Sequence, residues 1–149
     1  MNTEFLQQAE MLLDYGVMGL LLLMSIVALW LFIERVMFYR SVKIESYTNR
    51  DALEMELTDN ISVISAVGTN APYVGLLGTV LGIMITFYTL GDIGAVDAKK
   101  IMMGLALALK ATALGLIVAI PAILSYSYLV RKVEKILTRF DIANEANSK

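Results

Sequence analysis

The sequence predicts an all-α integral membrane protein with three transmembrane helices and a single domain. Three observations carry that expectation. First, 58% of the 149 residues are hydrophobic and only 17% are charged, against about 45–50% and roughly a quarter in a water-soluble domain. Second, three long stretches are nearly free of charge. Third, most of the basic residues flanking those stretches fall on one side of a three-span chain. The mean hydropathy of +0.69 leaves more apolar surface than one core of this size can hide from water.

The elements follow in order. Residues 1–14 hold Phe5, Leu6, Ala9, Leu12 and Leu13 at helical spacing, which predicts a short interfacial helix rather than a loose tail. No Lys or Arg precedes Arg35, so a cleavable signal peptide with its basic start is not expected. The uncharged run Tyr15–Ile33 ends at Glu34 and Arg35 and matches the roughly 20 residues that cross a bilayer. It predicts span one over 15–38.

Residues 39–60 form a short cytoplasmic segment. Within it Thr48, Asn49, Arg50 and Asp51 suggest a capping box before a brief helix. Residues 61–91 predict span two, with Ile61–Asn70 as its cytoplasmic extension. A loop over 92–98 leads to span three over 99–130, whose apolar run Ile101–Val130 is interrupted only by Lys110. In the tail, 131–149, Val133, Ile136, Leu137 and Phe140 fall at i, i+3, i+4 and i+7 and predict an amphipathic continuation of span three.

Basic loops stay in the cytoplasm. Arg35, Arg40, Lys43 and Arg50 follow span one, and Arg131, Lys132, Lys135, Arg139 and Lys149 follow span three. Both sets lie on one side of a three-span chain, so the N-terminus is expected outside and the C-terminus inside.

Composition removes several classes of chemistry. The formal charge of −2 argues against nucleic-acid binding. With neither Cys nor His in the chain, thiolate and imidazole metal sites and His-based catalysis are absent. No enzyme, cofactor or metal site is expected. An intramembrane protease is disfavoured for the same reason.

The spans carry two small-residue faces. Gly75, Gly78 and Gly82 follow Pro72 in span two. Ala111, Gly115 and Ala119 precede Pro121 in span three. Small residues let helices approach closely in lipid, and these faces are expected to pack a homo-oligomer, with span one outside and touching lipid through Leu22 and Leu29. Pro72 suits a first helical turn, whereas Pro121 removes a bond to the Ile117 carbonyl and predicts a kink. Thr79 and Thr112 bring hydroxyls into the deepest apolar stretches. A membrane threonine commonly bonds back to its own helix, so each alone is weak evidence for function. Lys110 is the single charge inside a span; it either snorkels to the outer headgroups or faces a bundle interior.

The block Ala71-Pro72-Tyr73-Val74-Gly75-Leu76-Leu77-Gly78-Thr79-Val80-Leu81-Gly82 and the block Ala111-Thr112-Ala113-Leu114-Gly115-Leu116-Ile117-Val118-Ala119-Ile120-Pro121-Ala122 resemble spans two and three of the ExbB/TolQ/MotA family of proton-channel subunits. The likeness covers most of residues 15–140 and is nearer to ExbB than to MotA, with TolQ hard to separate. It implies a ring, a pentamer in that family, in the bacterial inner membrane, whose second and third spans line a pore. It also implies an ExbD-like single-span partner that supplies a membrane aspartate, and a TonB-like protein that the complex energises. A TolQ-like subunit driving TolA, or a non-conducting scaffold, are the alternatives. Thr79 and Thr112 correspond to pore-lining hydroxyls. Two departures stand out. The cytoplasmic segment is shorter than usual, and Leu107 occupies the place of a common glutamate, with Lys110 one turn further on.

Overall fold

The computed structural model describes residues 3–93 and 98–147. It is helical almost throughout, with no strand among the described residues. Helix α1 spans Thr3–Ser41, α2 Arg50–Thr58, α3 Ile61–Ile93 and α4 Ala98–Asn147, with one 3₁₀ turn at Ile44–Ser46. Three of these helices are long and apolar enough to cross a membrane.

The boundaries differ from several expectations. The stretch 1–14 and span one form one continuous helix from Thr3, because the hydrophobic periodicity passes Asp14 without a breaker. Span three and the tail, as the stripe Val133, Ile136, Leu137 and Phe140 predicts, form a single helix of 50 residues, and it runs through Pro121 without interruption. At 1.5 Å per residue it is about 75 Å long, more than twice the hydrocarbon thickness. Of the expected 92–98 loop, residues 92, 93 and 98 are helical, since helix reaches Ile93 and resumes at Ala98. Residues 94–97, the first two residues and the last two lie outside the described residues.

The capping box also shifts. Asn49, not Thr48, caps α2: its side chain accepts from the Asp51 backbone N–H at 2.9 Å. Asn is as good a cap as threonine or better, and its place directly before Arg50 lets it capture that donor first. Asn60 adopts φ 59° between α2 and α3, a left-handed turn that Asn tolerates and that sends the chain back toward the membrane.

Helices α3 and α4 pack antiparallel in a steady register. Gly68 meets Ile123, Gly75 meets Gly115, Gly78 meets Ala111, Gly82 meets Ala108, and Thr86 meets Gly104. A Cβ on Gly75 would stand 2.6 Å from the Ala111 carbonyl oxygen, and one on Gly115 would stand 2.7 Å from that of Ala71. Glycine is required at both. Helix α1 lies across this pair, with Val17 against Gly78 and Leu21 packed with Ala71 and Ala119. Both small-residue faces expected to join copies of the chain are therefore used for packing inside one chain. Leu22 and Leu29 point outward, as does Pro121, while Pro72 is half-buried.

Below this zipper stands a different core. Leu53, Leu57, Ile61 and Ile64 interlock with Leu129, Val133, Ile136, Leu137 and Phe140. The amphipathic stripe at the end of α4 thus packs against α2 and the start of α3.

Candidate functional site: a threonine pair between the membrane helices

The register of α3 and α4 sets two hydroxyls face to face. Thr79 Oγ1 lies 2.5 Å from Thr112 Oγ1, 3.0 Å from the carbonyl oxygen of Ala108 and 3.2 Å from that of Gly75. Thr112 Oγ1 is 3.4 Å from the Gly75 oxygen. Contact this close depends on Gly75 and Gly115, because any side chain there would push the two backbones apart. Thr79 is buried and Thr112 is half-buried, so the pair opens outward through Thr112.

The other hydroxyls of α3 show what is unusual here. Thr86 donates to Gly82 O and Thr89 to Ile85 O, each at 2.9 Å on its own helix. Thr79 reaches across to the neighbouring helix as well. A hydroxyl has one proton to donate and two lone pairs to accept with. Two arrangements are therefore open to these four oxygens, each linking both hydroxyls to one of the two carbonyls. Thr112 donates to Thr79 while Thr79 donates to Ala108 O, or Thr79 donates to Thr112 while Thr112 donates to Gly75 O. Rotating two C–O bonds exchanges them. The pair can pass a hydrogen-bond polarity from one helix to the other without forming an ion.

Residues 30–142 match the MotA/TolQ/ExbB proton channel family. The chain belongs to that family. It is 56% identical over 144 residues to a protein named biopolymer transport protein ExbB from Aquifex aeolicus, which covers 96% of this chain and 97% of that one. A putative ExbB-like protein of Helicobacter pylori is 48% identical over 131 residues, 88% of this chain and 87% of that one. The TolQ protein of the Pseudomonas aeruginosa Tol-Pal system is 38% identical over 87 residues, 58% of this chain but only 38% of its own length. Among family members the chain is thus a short, ExbB-like variant.

Lys110 is not brought to the threonine pair. Residues two apart do not share a helix face, and its Nζ lies instead 4.0 Å from Asp14 Oδ2 on α1, with both side chains about half exposed. Asp14 also lines a cavity of about 430 Å³ between α1 and the α3–α4 pair, together with Glu10, Gly82, Leu107 and Ala108. Leu107, at the position of the common family glutamate, therefore faces this cavity beneath α1. Asp14 was not singled out by sequence. The available signal was depth: a lone lysine just inside the N-terminal end of span three calls for a carboxylate at the same level of a neighbouring helix. Thr86 was also passed over. It is buried against Gly104, whose absent side chain leaves it room. No cluster of ionisable side chains suited to a metal occurs among the described residues.

Proposed function

We propose that this chain is the ExbB-type subunit of a machine in the bacterial inner membrane that turns the proton gradient into mechanical work. Its N-terminus faces the periplasm and its C-terminus the cytoplasm. Copies assemble into a ring, a pentamer by family analogy, with α3 and α4 toward a central pore and α1 toward lipid. The pore holds an ExbD-like single-span partner, and the complex energises a TonB-like protein for transport across the outer membrane.

The observation that supports this reading best is the Thr79–Thr112 pair, two hydroxyls in mutual contact at an interhelical seam. Between Tyr15 and Ile33, and again from Pro72 to Leu90 and Ile101 to Val130, the sequence has no carboxylate. A relay of hydroxyls needs a group that ionises, so the proton carrier has to come from a partner. Threonines can hydrate the path and hand a proton to such a carboxylate while remaining neutral. Lys110 belongs to the same outer region. Drawn to the pore, its ammonium would pair with the partner's carboxylate at rest; held by Asp14, it would instead clamp α1 to α4.

A TolQ-type role, driving a TolA-like partner for envelope integrity, is the second reading and is favoured by the match to the TolQ protein of Pseudomonas aeruginosa. Growth that depends on outer-membrane uptake separates it from growth that depends on resistance to detergent. In the host strain, Thr79→Val and Thr112→Val are each expected to abolish energised uptake while the oligomer keeps its mass. Thr→Ser at either position should restore activity, and Lys110→Met reports whether the ammonium takes part. Full uptake by the double valine variant would remove the hydroxyls from the mechanism.

A further inference from the structure

Where α1 leaves its apolar stretch it packs beside α4, and a cavity of about 160 Å³ opens between them. Val36, Ile136 and Tyr128 give it an apolar side, and Arg40, Lys132, Lys135 and Arg139 give it a basic side. The three α4 cations fall at i, i+3 and i+7, one stripe of the helix. Glu134 and Thr138 turn the other way, toward a separate groove shared with Glu54 of α2. Over this stretch α4 thus sorts its charges, Lys132, Lys135 and Arg139 toward α1 and Glu134 toward α2.

The four cations differ from the other arginines nearby. Arg35 pairs with Glu34, and Arg50 with Glu54 and Asp141. Among the described residues, no carboxylate stands within ion-pair distance of Arg40, Lys132, Lys135 or Arg139. Lys132 rests over the Tyr128 ring, 5.8 Å from its centroid. Gathering four like charges around one cavity is unfavourable unless an anion joins them.

Position indicates which anion. Trp30, Ile33 and Met37 are outward-facing on α1, as are Leu124 and Tyr128 on α4, so the exposed apolar surface ends about one turn before the cations begin. The cavity is amphipathic along the same axis. Basic pockets between membrane helices on the cytoplasmic side suit anionic lipid headgroups, and the Arg fork matches a phosphate bidentately.

We propose that this groove binds an anionic phospholipid of the inner leaflet, its phosphodiester held by Arg40, Lys132, Lys135 and Arg139 and its glycerol and upper acyl chain against Val36 and Tyr128. Such a lipid would tie α1 to α4 at the point where force generated in the membrane passes into the cytoplasmic core. The proposal rests on this end of the helices facing the cytoplasm. It does not rest on proton conduction, so a failure of the threonine prediction leaves it standing.

The test uses the full-length oligomer purified in detergent, given phosphatidylglycerol, phosphatidylcholine or glycerol phosphate, with bound lipid counted by native mass spectrometry and thermal stability followed in parallel. Phosphatidylglycerol is expected to remain bound under conditions that strip phosphatidylcholine, and to raise the melting temperature. Lys132→Gln with Lys135→Gln should weaken its retention about tenfold to thirtyfold, at roughly fivefold per cation near an anionic headgroup. Lys132→Arg with Lys135→Arg should keep it, which separates lost charge from lost fold. Arg131→Gln, on the same helix but outside the cavity, should have no effect. Equal retention of the two lipids would overturn the proposal, as would an Arg131→Gln loss as large as the double variant's. Equal stabilisation by glycerol phosphate would also overturn it in favour of a free-phosphate site, and charge-dependent capture of an acidic partner segment with no lipid preference would do so in favour of a protein contact.

Discussion

Helices α3 and α4 meet twice, and they meet by opposite means. Along the membrane stretch the contact is made by Ala71, Gly75, Gly78 and Gly82 against Ala108, Ala111, Gly115 and Ala119. Beyond it the contact is made by Ile61 and Ile64 against Leu129, Val133 and Ile136, joined by Leu53 and Leu57 of α2. The largest fully buried side chains, Leu53, Leu57, Ile64 and Leu129, all belong to the second region. The solvent explains the difference. In water, a large apolar side chain gains by leaving the surface. In lipid it gains nothing of the kind, so helices associate through close backbone approach and interhelical hydrogen bonds. That is why buried hydroxyls, Thr79 and Thr86, occur in the first region, and why a hydroxyl relay can be built there at all.

The largest expected effect breaks the membrane contact. Alanine placed at Gly75 or Gly115 puts a Cβ against a backbone carbonyl, which cannot swing aside, whereas at Gly78 and Gly82 it meets the Ala111 and Ala108 methyls at 2.9 and 3.0 Å. The order of damage should be Gly75→Ala and Gly115→Ala first, then Gly78→Ala, then Gly82→Ala, with Gly19→Ala near neutral because nothing lies within 4 Å of it. Melting of the purified protein and loss of energised uptake should follow the same order. If Gly82→Ala proved as harmful as Gly75→Ala, the register of the two helices would be wrong. Because these glycines pack within one chain, Gly78→Leu is expected to loosen the subunit itself before it alters the oligomer.

The core of Leu53, Leu57, Ile64 and Leu129 should obey the rules of a water-soluble core. Leu57 is fully buried, and Leu57→Ala is expected to cost about 3 kcal/mol, within the range for buried leucines. A substitution of similar volume loss on the lipid-facing side, Leu22→Ala, should cost far less, since Leu22 is 62% exposed in the chain. Denaturation in mild detergent measures both. Equal costs would mean that the contrast between the two regions is not set by solvent.

Much of this was legible in the sequence because the bilayer imposes few solutions. The long uncharged runs gave three helices, the small-residue spacing gave close packing, and two deep hydroxyls marked the seam. What the spacing of Gly75, Gly78 and Gly82 does not encode is the identity of the partner helix, because a flat glycine face fits a neighbour in the same chain or another copy equally well. The Asn49 cap was missed since Thr48 and Asn49 are both competent and only geometry chooses between them. The Asp14–Lys110 contact joins residues 96 positions apart, and the basic groove joins the ends of two helices. Neither leaves a local pattern.

The smallest effect tests how the core built around α2 is fastened to the first helix. Helix α2 has nine residues, too few to persist alone, and its last carbonyls have no partners within the helix. Two side chains of α1 supply them: Arg35 Nη1 donates to Glu56 O at 3.0 Å, and the Tyr39 hydroxyl donates to Leu57 O at 2.6 Å. Burial of Tyr39 pushes its pKa up to about 12 from 10.0, because the phenolate would lose hydration there. The raised value means that the folded form holds the proton more tightly than the unfolded one. Its stabilisation is therefore complete below pH 10 and is lost as pH rises through 12. Tyr39→Phe keeps the ring and removes one neutral hydrogen bond, a loss of about 1 kcal/mol. Hydrogen exchange should quicken in residues 50–58 and remain unchanged across the glycine zipper, and the alkaline loss of stability between pH 10 and 12 should flatten. Faster exchange in α3 as well would show that the two regions melt together, and that the membrane contact depends on the core around α2 after all.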